Sequence, residues 1–335
     1  MFQDNLPLVS IIIPIYGVER YVKTCIDSVL HQTYDHLEVV IINDCTKDRS
    51  MEIVHELMDG ILSFNGKIQY LEHHENRGLS AARQTGIEAC KGDYLFHLDS
   101  DDYLEPDAIR LLVETLVQEE HDIVIGATVH EYIDGTWNDF RAIRVKETFS
   151  KEAYLKEIIR QDTPNTIWGK LIRTSLYKNN KIRCVESICY AEDYAVLPKL
   201  MYYAQSIGFV ALPIYHYTHY NECSYTNNYK WKNIKDCFEA EKVIEEFFYA
   251  EKDFLKSLEI AHAKRSAWAI RQQLANSHEL SEIQSFIEPV KFFLSEKKYY
   301  SFNHYTILLL YKLELMFLLK LFIEVSGKIV KKRKI

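Results

Sequence analysis

The chain has 335 residues, 47% of them hydrophobic and 26% charged. That composition excludes a disordered or fibrous protein and allows a large buried core. A formal charge of −8 at pH 7 excludes a general nucleic-acid binder, and seven scattered cysteines with no C-x-x-C spacing exclude a disulfide framework and a cysteine zinc site.

The first 126 residues alternate between strand and helix patterns. Val9-Ser10-Ile11-Ile12-Ile13 reads as a buried strand ended by Pro14. Residues 19–30 have helical spacing, with Tyr21, Val22, Cys25, Ile26 and Val29 on one face. A second buried strand is predicted over 37–42, a helix over 48–58, a short strand over 68–71 and an alanine-rich helix over 79–90. A strand over 94–98, a helix over 106–117 with proline at its start, and a strand over 123–126 complete the series. Such alternation predicts an α/β fold with a mostly parallel sheet flanked by helices. No G-x-G-x-x-G follows the first strand, so a dinucleotide-binding reading is weak.

Beyond that the pattern changes. Residues 127–225 are less regular, with helices expected near 151–160 and 193–204 and an aromatic strand-like run at 215–219. Residues 226–335 read as almost all helix. Three regions are therefore expected: 1–126 as a ligand-binding sheet, 127–225 as the remainder of the catalytic domain, and 226–335 as a helical C-terminal region. No leader and no simple membrane span is expected.

The most informative segment is Asp99-Ser100-Asp101-Asp102, at the carboxyl end of a predicted strand, where open α/β sheets bind their ligands. Three close carboxylates repel one another unless a hard divalent cation joins them. The same residues would also serve as a solvated acidic turn with Asp102 capping a helix. Asp44 follows the second strand as ligand acceptor or turn cap. Gly78 and Arg83 sit at a loop-to-helix junction, where the arginine pairs with a phosphate or a carboxylate. Glu192-Asp193 supplies a general base or merely complements a helix dipole. Trp168 is either a sugar platform or a core residue.

Pro14-Ile15-Tyr16, Asn43-Asp44-Cys45-Thr46-Lys47-Asp48, Asn76-Arg77-Gly78-Leu79-Ser80-Ala81-Ala82-Arg83, Asp99-Ser100-Asp101-Asp102 and Ala191-Glu192-Asp193-Tyr194 match in order and spacing one known pattern. Over roughly residues 7–225 the chain resembles family 2 glycosyltransferases of the GT-A fold, of the bacterial surface-polysaccharide type. The resemblance implies an inverting, metal-dependent transfer of a hexose from a UDP-sugar. Pro14, Ile15, Tyr16, Asp44, Gly78, Arg83, Asp99 and Ser100 would bind the nucleotide sugar. Asp101 and Asp99 would hold Mn2+ or Mg2+, with His216 or His219 as a further candidate ligand, although a structural role suits each histidine better. Asp193 would be the base, Glu192 would position it or the acceptor, and Trp168 and Asp102 would contact the acceptor. The chain departs from the pattern at Asn43 (usually Asp), Cys45 (usually Gly), Gln84 (usually Asn) and Ala191 (usually Gly).

Residues 305–330 read as one amphipathic helix, with Lys312, Glu314, Lys320, Glu324 and Lys328 on one side. Leu308, Tyr311, Leu315, Leu318, Leu319, Phe322 and Ile329 fall on the other. A basic end follows at Lys331, Lys332, Arg333 and Lys334. This combination suits an anionic membrane surface; the alternative is packing against the catalytic domain or another subunit. The expectation is a cytoplasmic enzyme, peripheral on the inner face of the cell membrane. Its acceptor would be a saccharide, on undecaprenyl diphosphate by the family resemblance, in O-antigen, capsule or exopolysaccharide assembly. A nucleotidyltransferase and a non-catalytic sugar-binding or scaffold protein are the alternatives.

Overall fold

A computed structural model describes residues 6–59, 66–135, 150–221, 230–276, 278–292 and 294–332. These fall into two compact units, residues 1–153 with 165–233 and residues 154–164 with 234–335.

The first unit opens with β1 (Val9–Ile15), α1 (Val22–Leu30), β2 (Leu37–Asn43), α2 (Ser50–Asp59), β3 (Lys67–Glu72), α3 (Leu79–Ala89) and β4 (Tyr94–His97). Every residue of β1 is buried, as its unbroken apolar run requires of a strand covered on both faces. α1 turns Val22, Cys25, Ile26 and Val29 into the core. β5 (Tyr103–Leu104), α4 (Ala108–Glu119), β6 (Ile123–Glu131), α5 (Lys151–Ile159), β7 (Lys170–Arg173), α6 (Thr174–Asn179), α7 (Leu197–Tyr203) and β8 (Ile207–Thr218) follow.

The eight strands form one sheet in the order β3-β2-β1-β4-β7-β6-β8-β5. Pairings β3–β2, β2–β1, β1–β4 and β6–β8 are parallel, while β4–β7, β7–β6 and β8–β5 are antiparallel. The carboxyl ends of β1, β2 and β4 therefore lie at one edge of the parallel half, where the motif residues cluster.

Pro14 does not end the first strand. It pairs with Ile42 inside β1. On the opposite side, pairing with β4 stops at Ile12 and His97, followed by a bond from the Leu98 N–H to the Ile12 carbonyl. A proline there forfeits no ladder bond. β8 was not predicted beyond its aromatic end. Its Leu212-Pro213 stretch breaks the alternation, and its pairing with β6 shifts register between Gly126 and Thr128. The helix expected from 193 begins at Leu197; Glu192 to Val196 form tight turns leading into it.

The second unit is helical, with α8 (Trp231–Phe247), α9 (Lys252–Ala275), α10 (Gln284–Ile287), α11 (Phe302–Lys312) and α12 (Met316–Lys332). The single C-terminal helix read from the sequence is thus two, broken where Glu314 takes a left-handed φ of 57°. The apolar stripe also divides differently: Leu308, Leu319 and Ile323 are buried, whereas Phe317, Leu318, Leu321 and Val325 are exposed. The basic residues Lys328, Lys331, Lys332, Arg333 and Lys334 lie outside the described side chains. Among the described residues no helix is long and apolar enough to cross a membrane.

Candidate active site

Asp44 caps the end of β2 and is 3% exposed. Its Oδ1 lies 2.7 Å from His73 Nδ1 and accepts the Arg77 N–H at 2.9 Å; its Oδ2 accepts the Gly78 N–H at 2.8 Å. Gly78 has a φ of 88° and precedes α3, so the backbone folds round the carboxylate at a position that favours glycine. One buried acid thereby ties the end of β2 to the start of α3.

That helix delivers Arg83, 1% exposed, to the centre of the site. Its Nη2 donates to Asp99 Oδ1 at 2.6 Å, and its Nη1 donates to Asp193 Oδ1 at 2.7 Å and to Glu192 Oε1 at 2.9 Å. Burial pulls the guanidinium pKa down, but Asp99, Asp193 and Glu192 outweigh it and raise it well above the usual value. Asp193 Oδ2 also accepts the Ile167 N–H at 3.0 Å. Burial raises both acids, helped for Glu192 by Asp193 and opposed for Asp193 by Arg83. Lys170, close by in β7, donates to the Thr166 carbonyl at 2.5 Å, and burial holds it down to about 8.

The acidic segment is a turn closed by the Asp102 N–H on the Asp99 carbonyl at 3.0 Å. Asp101 Oδ2 accepts from Asn221 at 2.8 Å, and burial, then Asp99, push Asp101 up to about 6. A buried Asp101 beside the Asp99 carboxylate fits a hard divalent cation. Asp102 behaves otherwise. It is 1% exposed, accepting from the Tyr215 hydroxyl at 2.7 Å and the Thr218 N–H at 2.8 Å. It fastens the acidic turn to β8.

Residues 10–186, more than half of the chain, match the family described as Glycosyl transferase family 2. The chain belongs to glycosyl transferase family 2. It is 31% identical to EpsH of Bacillus subtilis over 63% of this chain and 60% of EpsH. It is 37% identical to the hyaluronan synthase of Pasteurella multocida over 35% of this chain and 12% of that protein. The chain thus spans less than two thirds of these relatives. TarS of S. aureus, solved in complex with UDP-GlcNAc, superposes with a TM-score of 0.66 at 20% identity, covering 84% of this chain and 81% of TarS. The fold is GT-A.

Within this family 2 chain, several predicted site residues stand in unexpected places. Pro14 and Ile15 are buried within β1; only Tyr16, 52% exposed, offers a surface to a base. Ser100 is buried too. Asp44 spends both oxygens on protein donors, which suits a loop anchor better than a base contact. Asp102 and Trp168, read as acceptor contacts, are both buried: Asp102 accepts from Tyr215 and Thr218 as described, and Trp168 stacks at 4.6 Å on Tyr215 and 5.1 Å on Tyr217. His216, a candidate metal ligand, has its Nδ1 3.0 Å from Glu131 and its Nε2 2.8 Å from Glu105. His219 Nε2 lies 2.8 Å from His130 Nδ1. Asp99, Arg83, Glu192 and Asp193 do come together. His73, Ile167, Lys170 and Asn221 were missed. Only Lys170, a lone cation in an apolar segment, carried a signal in the sequence.

Proposed function

We propose that this chain transfers a hexose, with inversion, from a UDP-sugar to a saccharide acceptor. The observation that carries the reading is the Arg83 ion-pair centre, which joins Asp99 on the donor side to Glu192 and Asp193 within hydrogen-bond distance. Family membership supports it, as do the activity in the name of the hyaluronan synthase and the UDP-GlcNAc held by TarS.

The acceptor hydroxyl gives its proton to Asp193 as its oxygen bonds to the anomeric carbon from the face opposite the leaving group. The bond from that carbon to the diphosphate oxygen breaks, and UDP leaves with the electron pair. Arg83 and the Ile167 N–H hold the Asp193 carboxylate in one orientation, and Glu192 shares the guanidinium and orients the acceptor. Asp101 with Asp99 would hold Mn2+ or Mg2+, which when bound neutralises charge on the departing diphosphate. Tyr16 gives the uracil an aromatic surface.

The acceptor in this proposal is linked to undecaprenyl diphosphate, and the chain works on the cytoplasmic face of the membrane in O-antigen, capsule or exopolysaccharide assembly. The exposed apolar residues of α12 support a peripheral attachment. Phe317, Leu321, Val325 and Leu318 fall within an arc of about 100° at helical spacing.

The test is UDP release from a panel of UDP-sugars, with and without chelator. Asp101→Ala and EDTA should each abolish turnover, with Mn2+ or Mg2+ restoring the chelated enzyme. Asp193→Asn should cut kcat by about 10²–10⁴-fold with donor affinity nearly unchanged. Full activity in EDTA overturns the metal assignment. Diphosphate release from a nucleoside triphosphate would favour a nucleotidyltransferase, and binding without turnover a sugar-binding protein.

A further inference from the structure

The second unit contains a polar cluster that sugar transfer does not use. Glu241 and Glu245 lie one turn apart on α8, and His262 faces them from α9. One ligand atom from each of the three lies within 4.8 Å of the others.

Glu241 is 2% exposed, yet neither of its carboxylate oxygens accepts a hydrogen bond. Its nearest cationic groups reach only Oε2, His262 Nδ1 at 3.4 Å and Arg265 Nη1 at 3.3 Å. Arg265 Nη1 makes its short bond elsewhere, donating to the Cys237 carbonyl at 2.7 Å. Both contacts fall on Oε2, so Oε1 is buried with neither a hydrogen bond nor an ion pair, which a carboxylate seldom tolerates.

His262 shows where a positive charge would sit. Its Nε2 lies 3.3 Å from the Ile287 carbonyl, which can only accept, so Nε2 carries the hydrogen. Nδ1 then faces Glu241, as an N–H when the ring is charged and as a lone pair when a metal takes that proton's place. A ring N–H fixed on a backbone carbonyl is how proteins orient a histidine whose other nitrogen binds a metal. Phe238 packs edge-on at 5.9 Å against the ring and shields that side, while the exposed Glu245 leaves a route in from solvent.

We propose that Glu241, Glu245 and His262 bind a divalent first-row transition-metal ion that joins α8 to α9. One imidazole nitrogen with two carboxylates suits Zn2+ or Mn2+ better than Mg2+ or Ca2+, which prefer oxygen alone. The ion neutralises the Glu241 and Glu245 pair, and because it binds the folded unit it stabilises that unit. The site is separate from Asp99 and Asp101, and its occupancy does not depend on the transfer reaction.

The experiment uses the full chain carrying Asp99→Asn and Asp101→Asn, which removes both proposed ligands at the acidic turn. Zn2+ is titrated calorimetrically, and Co2+ is followed by visible absorption. One Zn2+ per chain should bind, and should displace a Co2+ spectrum. Glu245→Gln and His262→Gln should each weaken Zn2+ binding by roughly tenfold or more. Glu245 is exposed, so its variant keeps the fold, as circular dichroism will verify. Unchanged Zn2+ affinity in Glu245→Gln overturns the proposal. So does the lack of stoichiometric uptake, which would leave a proton between His262 and Glu241 as the neutralising charge.

Discussion

Arg83 is one cation serving three acids, and that imbalance governs the chemistry at the scale of single residues. Burial raises both Glu192 and Asp193, so the pair keeps a proton above the ordinary carboxylate range. If Asp193 is the base, the acid limb of the kcat/KM profile lies above that range. Burial and then Asp193 push Glu192 up to about 8, so Glu192 is still protonated as Asp193 ionises, and Glu192→Gln should leave the acid limb nearly in place. The pH dependence of kcat/KM in the two proteins checks this, and an upward shift would remove Asp193 from the role of base. The acids themselves were legible, because Asp99, Glu192 and Asp193 stand in recognisable motifs. Their convergence on Arg83 was not, since Glu192 and Asp193 lie 109 and 110 residues away from it in sequence. Nor did the sequence show which protein groups Asp44 and Asp102 meet, because the Arg77 and Gly78 N–H groups on Asp44 and the Tyr215 hydroxyl and Thr218 N–H on Asp102 are brought there only by the folded chain.

At the scale of elements, two departures from the family pattern acquire a backbone meaning. Cys45 and Ala191 both stand where the family has glycine, and both take a left-handed conformation, with φ of 58° and 63°. A side chain there costs about 1–2 kcal/mol, partly offset by the lower entropy of a non-glycine residue in the unfolded chain. Ala191→Gly should therefore stabilise the protein by about 0.5–1 kcal/mol, a rise in Tm of roughly 1–4 °C. Thermal melts decide it, and a lower Tm would mean that the alanine methyl packs more favourably than the strain costs. The strongly apolar strands β1 and β2 and the one-faced helix α1 were readable because burial alone dictates their pattern. β8 and the break between α11 and α12 were not. A register shift and a left-handed Glu314 leave no mark on hydrophobic periodicity when no glycine announces them. The exposed stripe on α12 makes its own prediction. Phe317→Glu with Leu321→Glu should weaken binding to anionic vesicles in a cosedimentation assay, because each removes an exposed apolar side chain from the proposed contact face. Unaltered binding would assign attachment to another surface.

At the scale of the whole molecule, the proposed function divides the work between the two units, chemistry in one and membrane attachment in the other. The first carries the acids and the arginine; the second carries the exposed apolar residues of α12 and the Glu241–Glu245–His262 cluster. A transferase held at a bilayer meets acceptors confined to the same surface. A prenyl diphosphate on the acceptor then adds apolar burial and phosphate pairing remote from the reacting hydroxyl. Such binding is present equally in the ground and transition states, so it lowers KM while leaving kcat nearly unchanged. With one fixed UDP-hexose, a hydrophobic diphosphate-linked GlcNAc or GalNAc should exceed the free sugar in kcat/KM by about a hundredfold, equivalent to about 2.7 kcal/mol. The same ratio should shrink in the Phe317→Glu, Leu321→Glu protein when the acceptor is presented in vesicles. It should not change when the acceptor is a water-soluble short-chain analogue, because only membrane capture has been removed. Equal kcat/KM for the free and the lipid-linked sugar would reject the lipid-linked acceptor and leave transfer from the UDP-sugar standing, since the proposed base takes its proton from the hydroxyl whatever the carrier.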